Sequence, residues 1–238
     1  MTTTASLLEL AKKAIESTDN AFWAQDTFLN KATATPSPTL SADAVPVEWH
    51  PLIPFLPRNT RVLFLGSFPP PRKRWCMDFF YPNFINDHWR IEGLAFYDDA
   101  QHFLLPGAKT FDLSSIVPHL KQYGIGFFDA AIAVRRLADN ASDKFLEVVE
   151  ATDILAMTDS LPELKAIIAT GEKATETIAL ALSMKDDKGK VTLPKVGTFT
   201  SSPIRDIELY RLPSSSRAYP MSLTKKAEAY QAMFRRYV

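Results

Sequence analysis

The chain has little cysteine and little glycine, and each shortage excludes a class of site. It has one cysteine, Cys76, among 238 residues, so it can form neither an internal disulfide nor a four-cysteine zinc or iron–sulfur site. The four histidines, His50, His88, His102 and His119, lack metal-ligand spacing such as H-x-x-x-H, so we expect no metal. The eight glycines form neither a G-x-G-x-x-G fingerprint nor a P-loop, which argues against a nucleotide-binding Rossmann enzyme.

The chain also lacks an excess of charge and any long apolar run. Lys and Arg total 27 and Asp and Glu total 27, so no global positive field attracts nucleic acid, and such a role would need a local basic face. No apolar run approaches about 18 residues, and the Thr-rich N-terminus does not resemble a secretory signal. We therefore expect no membrane partner. The single cysteine fits a reducing compartment, and we expect a cytoplasmic location.

The first part of the chain differs in composition from the rest. Residues 5–33 carry an apolar stripe at helical spacing, and residues 33–46 form a polar, proline-bearing linker. We therefore predict an N-terminal helical extension over residues 1–46 and one α/β domain over residues 47–238.

The second part alternates apolar strand patterns with helical ones. This alternation predicts a three-layer α/β/α sandwich with a mostly parallel central sheet of about four strands. The predicted strands are residues 61–65, 124–129, 164–170 and 207–212. The predicted helical segments are residues 110–122, broken by Pro118, residues 151–155 as a helix or its connection, and residues 172–184 and 225–237.

Two loops follow predicted strands and carry most of the functional signal. The first strand ends in Gly66-Ser67-Phe68 and three prolines, which cannot continue into a helix. The last strand ends in residues 213–217, a proline and three serines followed by an arginine. Ligands of α/β sheets bind outside the carboxyl ends of strands, so we expect both loops, and the loop after Phe128, to line one cleft.

Four segments, in consistent order, resemble the uracil-DNA glycosylase superfamily over roughly residues 60–237. The loop Gly66–Pro69 and the aromatic block Phe79–Trp89 look most like the hypoxanthine-DNA glycosylase branch. The other three segments are Gly124–Arg135 followed by Asn140-Ala141-Ser142, the strand–Gly–helix unit Ile167–Ala174, and Leu212–Ser216. Each motif alone is weak, but four in order at predicted strand ends form a stronger signal.

The resemblance implies a hydrolase that cleaves the N-glycosidic bond of a flipped base, such as uracil, hypoxanthine or xanthine, in base excision repair. It implies a partner, DNA containing a damaged base, and no metal or redox cofactor; we expect a monomer. The first motif has no Asp or Asn directly after Gly66-Ser67, so we expect the activity to be weak or narrow.

The resemblance assigns the catalytic role to Asn86, together with Ser67 of the first motif. An amide is not a strong base, so Asn86 would orient the attacking water by hydrogen bonding. Asn83 is the alternative, because the aromatic block has one residue more than the pattern. A turn-capping role for Asn86 is an equally good interpretation of the sequence.

The predicted base-binding residues follow the same two strand ends and the aromatic block. Asp129 occupies the position of a base-reading Asn, but a carboxylate offers only acceptors, and a strand-end cap is the alternative. Aromatic rings there would stack on the flipped base, although they can equally belong to the core. The full set is Gly66, Phe68, Phe80, Phe128 and Asp129.

Basic and hydroxyl side chains near both loops are the predicted DNA contacts. They are Arg72, Lys73, Arg74, Arg135, Arg136, Ser214, Ser215, Ser216 and Arg217. Solvated loops and faces are the alternative interpretation. A non-catalytic nucleic-acid or nucleotide-binding protein of the same fold is the second function hypothesis, whereas a serine hydrolase is disfavoured because no Gly-x-Ser-x-Gly elbow is present.

Overall fold

The computed structural model describes residues 45–138 and 143–238, and its centre is a five-stranded sheet. The strand order is β3–β2–β6–β8–β7, and the first four strands are parallel whereas β7 is antiparallel to its neighbour. The bounds are β2 Val62–Gly66, β3 Ile125–Asp129, β6 Ala166–Thr170, β7 Thr198–Ser201 and β8 Glu208–Leu212. The four parallel strands overlap the four predicted ones, and β7 makes the sheet one strand larger than predicted.

The parallel strands form where short apolar runs are buried on both faces. Every residue of β2, β3 and β6 is buried, which is the pattern of a parallel sheet covered on both sides. Because all four strands run the same way, their carboxyl ends lie at one edge of the sheet. The loops that follow Gly66, Asp129, Thr170 and Leu212 therefore start close together.

A second sheet was not predicted. Strands β1 (Val47–Trp49), β4 (Ala131–Arg136) and β5 (Leu146–Ala151) pair antiparallel in the order β1–β4–β5. Only Ala130 separates β3 from β4, so the chain passes directly from one sheet into the other. The segment 151–155, predicted as a helix or its connection, runs from the last residue of β5 into a short helix that begins at Ile154.

Five helices complete the described part of the chain. They are α1 His88–Tyr97, α2 Leu113–Tyr123, α3 Ile154–Asp159, α4 Glu172–Ala181 and α5 Leu223–Tyr237. Asp112 and Ser222 cap α2 and α5 by accepting hydrogen bonds from backbone N–H groups two or three residues on. Helix α2 continues through Pro118, so the predicted break at that residue is wrong.

Helices α1 and α5 pack together and cover the face of the sheet that carries Phe64. The Phe64 ring lies 5.5 Å from the His88 ring and 6.2 Å and 5.9 Å from the rings of Tyr230 and Phe234. Phe127, opposite Phe64 on β3, lies 5.1 Å from it and continues the same aromatic layer. The core behind the carboxyl edge of the sheet is therefore largely aromatic.

The two edges of the large sheet are covered in different ways. On β7 the ring of Phe199 is exposed, and the guanidinium carbon of Arg236 lies 4.0 Å from its centre. At the opposite edge, Phe55 and Phe127 of β3 exchange two backbone hydrogen bonds of 2.9 and 2.8 Å.

All but the last two residues of the predicted extension 1–46 lie outside the described residues, so the extension and the domain boundary remain predictions. Among the helices in the described ranges, none combines the length and the apolar character needed to cross a membrane.

Candidate active site

A cleft of about 470 Å³ opens at the carboxyl edge of the parallel strands. The loops after β2 and β8 and the last residue of β3, Asp129, meet there, as the position of their motifs predicts, and the segment before α1 forms another wall. The lining includes Gly66, Ser67, Phe68, Arg74, Phe80, Tyr81, Asn83, Asn86, Asp129, Asp143, Thr170, Ser214, Ser215, Ser216 and Arg217. A cleft of this size lies within the range of small-ligand sites.

Gly66 and Asp129 touch at the floor of the cleft because β2 and β3 pair with these two residues in register. A Cβ atom at position 66 would lie 2.3 Å from Oδ1 of Asp129. Any side chain there would therefore displace the carboxylate. Because Gly66 has no side chain, the Asp129 carboxylate can approach the backbone of β2 this closely.

His50, just after β1, holds one oxygen of the Asp129 carboxylate. Nε2 of His50 lies 2.9 Å from Oδ2 of Asp129, and the imidazole is buried. Nδ1 lies 2.8 Å from the Leu52 carbonyl oxygen and 3.2 Å from the Leu52 nitrogen. A neutral ring accepts from that N–H, whereas an imidazolium donates to that carbonyl; in both states Nε2–H donates to Asp129. The other oxygen of Asp129, Oδ1, remains beside Gly66 at the cleft.

A second carboxylate, Asp143, lies on the same wall and was not predicted. It begins the 3-10 turn Asp143–Phe145, and the Ser67 hydroxyl donates a hydrogen bond to it. Burial raises the pKa of the Asp143 carboxyl, and the negative charge of Asp129 adds to this effect. The Ser67 hydrogen bond and the positive charges of Arg136 and Lys173 oppose the rise.

Asn86 and Asn83 both line the cleft, and both cap turns. Oδ1 of Asn86 accepts from the backbone N–H of His88 at 2.9 Å, and Oδ1 of Asn83 accepts from that of Ile85 at 3.2 Å. The turn-capping alternative is therefore observed for both residues. Each amide NH₂ group remains available as a donor to a ligand, because the capping bonds use only the oxygen atoms.

The predicted stacking residues divide between cleft and core. Phe68 and Phe80 line the cleft, although both rings are largely buried. Phe128 is outside the lining: it is 1% exposed and packs with its centroid 4.5 Å from that of His50. The position of Phe128 therefore matches the core alternative, and the ring supports the His50 imidazole.

Tyr81 forms part of the back wall and adopts a left-handed backbone conformation with φ of 50°. Its hydroxyl lies 2.7 Å from Oγ1 of Thr170, and its ring stacks on the His88 ring at 3.7 Å. Burial raises the pKa of the Tyr81 phenol well above its ordinary value, so the group is neutral at neutral pH. Positive φ is unusual for a bulky residue and occurs mostly where the surroundings over-determine it.

Behind Tyr81 lies a buried acid–base cluster formed by His88, Glu92 and His119. Nε2 of His88 lies 2.9 Å from Oε1 of Glu92, and Nε2 of His119 lies 3.2 Å from Oε2. Burial lowers the pKa of His88. Burial acts to raise the pKa of Glu92, but the polar contacts with His119 and His88 outweigh it and lower the pKa. Both carboxylate oxygens of Glu92 thus face histidines, and the cluster does not open to the cleft.

The serine loop after β8 is held by contacts to its backbone and side chains. Lys226 donates to the Ser216 carbonyl at 2.7 Å, and the backbone N–H of Asp87 donates to the Ser215 carbonyl at 3.1 Å. Arg217 Nε donates to Oδ1 of Asp87 at 2.8 Å, while the Arg217 side chain stays about half exposed. The loop is therefore fixed to the start of α1 and to α5.

Two of the predicted basic contacts, Arg74 and Arg217, line the cleft. Arg72 forms an ion pair with Asp78 and its guanidinium carbon lies 4.3 Å from the centre of the Trp75 ring. The remaining predicted basic residues, Lys73, Arg135 and Arg136, are outside the lining. Lys73 is exposed in the 3-10 turn Arg72–Arg74. Arg135 pairs with Glu147 at 3.3 Å. Arg136 pairs with Glu48 at 3.1 Å and donates to the Pro69 carbonyl at 3.0 Å.

Four lining or supporting residues were missed by the sequence analysis: His50, Tyr81, Asp143 and Thr170. Thr170 ends β6, so the rule that placed the other strand ends at one edge applies to it equally. In the sequence, Asp143 directly follows Asn140-Ala141-Ser142, the end of the second segment of the resemblance. No local signal marks His50, because its contact with Asp129 spans 79 residues. In residues 45–138 and 143–238, no three His, Cys, Asp or Glu side chains form a group that could hold a metal ion.

Comparisons with known proteins bear on the fold in which the cleft lies. No family model and no curated protein matches the chain. Among solved structures, the chain is similar to a solution NMR structure of a provisionally assigned uracil DNA glycosylase from Methanosarcina acetivorans. The two share 25% identity and a TM-score of 0.53 over 77% of this chain and 94% of the other. This similarity supports the fold of the uracil-DNA glycosylase superfamily.

Proposed function

We propose that this protein is a DNA glycosylase of the uracil-DNA glycosylase superfamily, acting on a deaminated base in base excision repair. The observation that carries the proposal is the cleft at the carboxyl edge of the sheet, which is lined by residues from all four resembling segments. The similarity to the M. acetivorans protein, itself assigned as a uracil DNA glycosylase, supports the same activity.

The proposed reaction hydrolyses the bond between C1′ of deoxyribose and a ring nitrogen of the flipped base. The bond electrons leave with the base, the sugar develops oxocarbenium character, and a water molecule attacks C1′. The Asn86 amide would orient that water through its NH₂ group, because its oxygen already accepts from His88 N–H. Phe68 and Phe80 would flank the base, and Arg74 and Arg217 would contact phosphates at the rim.

Asp129 would read the base through Oδ1, the oxygen that His50 does not hold. A carboxylate accepts a hydrogen bond from the ring N–H of uracil or hypoxanthine but donates none to the neighbouring carbonyl. The aromatic block Phe79–Trp89 favours the hypoxanthine branch of the superfamily. Uracil, hypoxanthine and xanthine are therefore the substrates to compare.

A non-catalytic nucleic-acid or nucleotide-binding protein of the same fold is the second candidate. The capping bond of Asn86 and the His50 contact of Asp129 favour it, because both groups already have a partner within the protein. The zero net charge favours it as well. Further proposals from the sequence are a three-layer arrangement with helices on both faces of the sheet, a monomer and a cytoplasmic location.

Single-turnover excision assays on duplexes carrying uracil, hypoxanthine or xanthine, without added metal, separate the two candidates. We expect excision of at least one base, and Asn86→Ala should lower the rate by at least about tenfold, or roughly 1.4 kcal/mol of transition-state stabilisation. Asn83→Ala is the matched control, because Asn83 also lines the cleft and also caps a turn. It should stay within about threefold of wild type.

Absence of excision of all three bases by the wild-type protein would shift the assignment to the non-catalytic candidate. A rate lowered by Asn83→Ala and not by Asn86→Ala would transfer the proposed role to Asn83 and leave the glycosylase assignment standing.

A further inference from the structure

Asp143 is a carboxylate that the resemblance does not use, yet it lines the cleft. It lies next to Ser67, whose hydroxyl donates to it, and near Asp129. The first motif, Gly66–Pro69, carries no carboxylate of its own. Asp143 instead brings one to that loop from a segment about 75 residues further along the chain.

The surroundings of Asp143 suit a group that accepts a proton. The negative charge of Asp129 and the positive charges of Arg136 and Lys173 act on its carboxylate in opposite directions. Arg136, whose charge acts on Asp143, also pairs with Glu48 at 3.1 Å and donates to the Pro69 carbonyl at 3.0 Å. Burial raises the Asp143 pKa, which makes the ionised form a better proton acceptor than an exposed aspartate.

Resting on the proposed function, we infer that Asp143 is the general base of the glycosylase reaction and that Ser67 is its positioning residue. As the attacking water forms its bond to C1′, Asp143 takes a proton from it. The bond from C1′ to the base nitrogen breaks, and its electron pair leaves with the base. The products are a hydroxyl at C1′ of an abasic site, the anion of the free base, and a protonated Asp143 that later loses its proton to solvent or to the base.

The inference assigns the orientation of the water and the removal of its proton to two different residues, because one amide cannot do both. Asn86 can only orient the water, because an amide does not accept a proton at neutral pH. The carboxylate of Asp143, on the β3–β5 side of the cleft, supplies the basicity. Because Asp143 lines the cleft, its anionic form would also stabilise the positive charge that develops on the sugar in the transition state.

The first test compares Asp143→Asn with Glu147→Gln, an exposed acid off the cleft that pairs with Arg135. Asp143→Asn should lower the single-turnover rate by at least about 100-fold, within the range for removing a general base. It should leave binding to a duplex with a neutral tetrahydrofuran abasic analogue within about twofold. Glu147→Gln should match wild type in both assays. Unchanged thermal unfolding of Asp143→Asn would show that the loss is not a folding defect.

The pH profile gives a readout that a merely structural role would not move. The wild-type rate should fall as the pH drops through the pKa of Asp143, and this acid limb should be absent in Asp143→Asn. The Ser67 hydrogen bond lowers the pKa of Asp143, so Ser67→Ala should shift the acid limb to higher pH. A wild-type rate and acid limb in Asp143→Asn would overturn the inference and leave the glycosylase proposal intact.

A binding assay tests the negative charge of Asp143 without measuring excision. Wild-type protein should bind a duplex with a cationic pyrrolidine abasic analogue at least about tenfold more tightly than the tetrahydrofuran duplex, and Asp143→Asn should lose most of this preference. A preference that Asp143→Asn leaves intact would overturn the inference, whatever the excision assay gives. Wild-type protein that excises no base and binds both analogues no better than undamaged DNA would overturn the proposed function and the inference together.

Discussion

Two carboxylate–imidazole contacts of the same length occupy very different places in this protein. Asp129 and His50 meet at 2.9 Å on the floor of the cleft, and Glu92 and His88 meet at 2.9 Å in the interior. Glu92 has a histidine against each of its oxygens, whereas Asp129 has a histidine against only one. A matched buried cluster supports the fold, while a carboxylate with an oxygen left at a cleft is available to a ligand.

The two regions are joined through Tyr81. Its ring stacks on His88 of the interior cluster, while its hydroxyl contacts Thr170 and its side chain forms the back wall of the cleft. The position of that wall therefore depends on a cluster that no ligand touches. The predictions below alter one region at a time, from the largest expected effect to the smallest.

Glu92→Gln should have the largest effect, and on stability. It removes the charge that faces two buried histidines, and losing a polar contact to a charged group costs about 1.5–3 kcal/mol. We expect a loss of about 3 kcal/mol in the free energy of unfolding, measured by urea denaturation. Glu163→Gln, at the exposed 3.9 Å contact with Arg61, should change stability by less than about 0.5 kcal/mol. Equal effects of the two variants would contradict a supporting role for the interior cluster.

Asp129→Asn should change base preference more than stability. The amide oxygen keeps the bond from His50 Nε2–H, so the NH₂ group takes the place of Oδ1 at the cleft and can donate to O4 of uracil. Uracil carries a carbonyl on both sides of N3–H, whereas hypoxanthine carries one beside N1–H. The ratio of uracil to hypoxanthine excision rates should rise by about tenfold, corresponding to about 1.4 kcal/mol. Exposed Asp159→Asn serves as the control. An unchanged ratio would argue that Asp129 only caps the strand end.

Arg217→Ala should weaken DNA binding rather than the chemical step. Arg217 lies at the rim of the cleft with its side chain about half exposed, although Asp87 already holds part of its charge. We expect binding about fivefold weaker and a salt-dependence slope smaller by at most about 1, from fluorescence anisotropy at several salt concentrations. Arg135→Ala, paired with Glu147 and outside the lining, should retain the wild-type slope. A larger loss of binding and of salt dependence in Arg135→Ala than in Arg217→Ala would indicate that DNA binds along the small sheet instead.

The smallest expected effect is the pH dependence of stability that comes from His88. Burial lowers its folded-state pKa, so the unfolded chain takes up a proton that the folded chain does not as pH falls through about 6.5. The resulting stability is present above that pH and is lost on acidification, by about 1 kcal/mol between pH 7.5 and 5.5. Unfolding free energies should show a smaller slope for His88→Phe, which keeps a ring against Tyr81. Exposed His102→Gln should keep the wild-type slope.

The sequence predicted the parallel strands well because their burial on both faces produces continuous apolar runs, such as Val62–Leu65. It missed the antiparallel sheet because the pairing partners are distant along the chain and the elements are short. β1 has three residues and ends two residues before Pro51, and β4 follows β3 after one residue. The helix break predicted at Pro118 is wrong because a helix capped by Asp112 and packed on the core tolerates one missing backbone N–H.

The location of the site could be predicted, since all its loops follow parallel strands, but its contacts could not. The pairing of His50 with Asp129, the stacking of Tyr81 on His88 and the proximity of Asp143 to Ser67 all join distant segments. Sequence motifs also overstated the basic face: Arg72 and Arg135 are taken up by acidic neighbours that a count of charges does not identify.

The two edges of the large sheet bear on how the protein behaves at high concentration. An open strand edge offers unpaired backbone groups to a second molecule and can start edge-to-edge aggregation. The edge at β3 is closed over Phe127 by the backbone of Phe55. At β7 the strand is only four residues long, and the Arg236 guanidinium lies over Phe199. A charge and a short strand together discourage intermolecular strand pairing. Removing the Arg236 guanidinium would therefore uncover the Phe199 ring at the β7 edge and favour aggregation there.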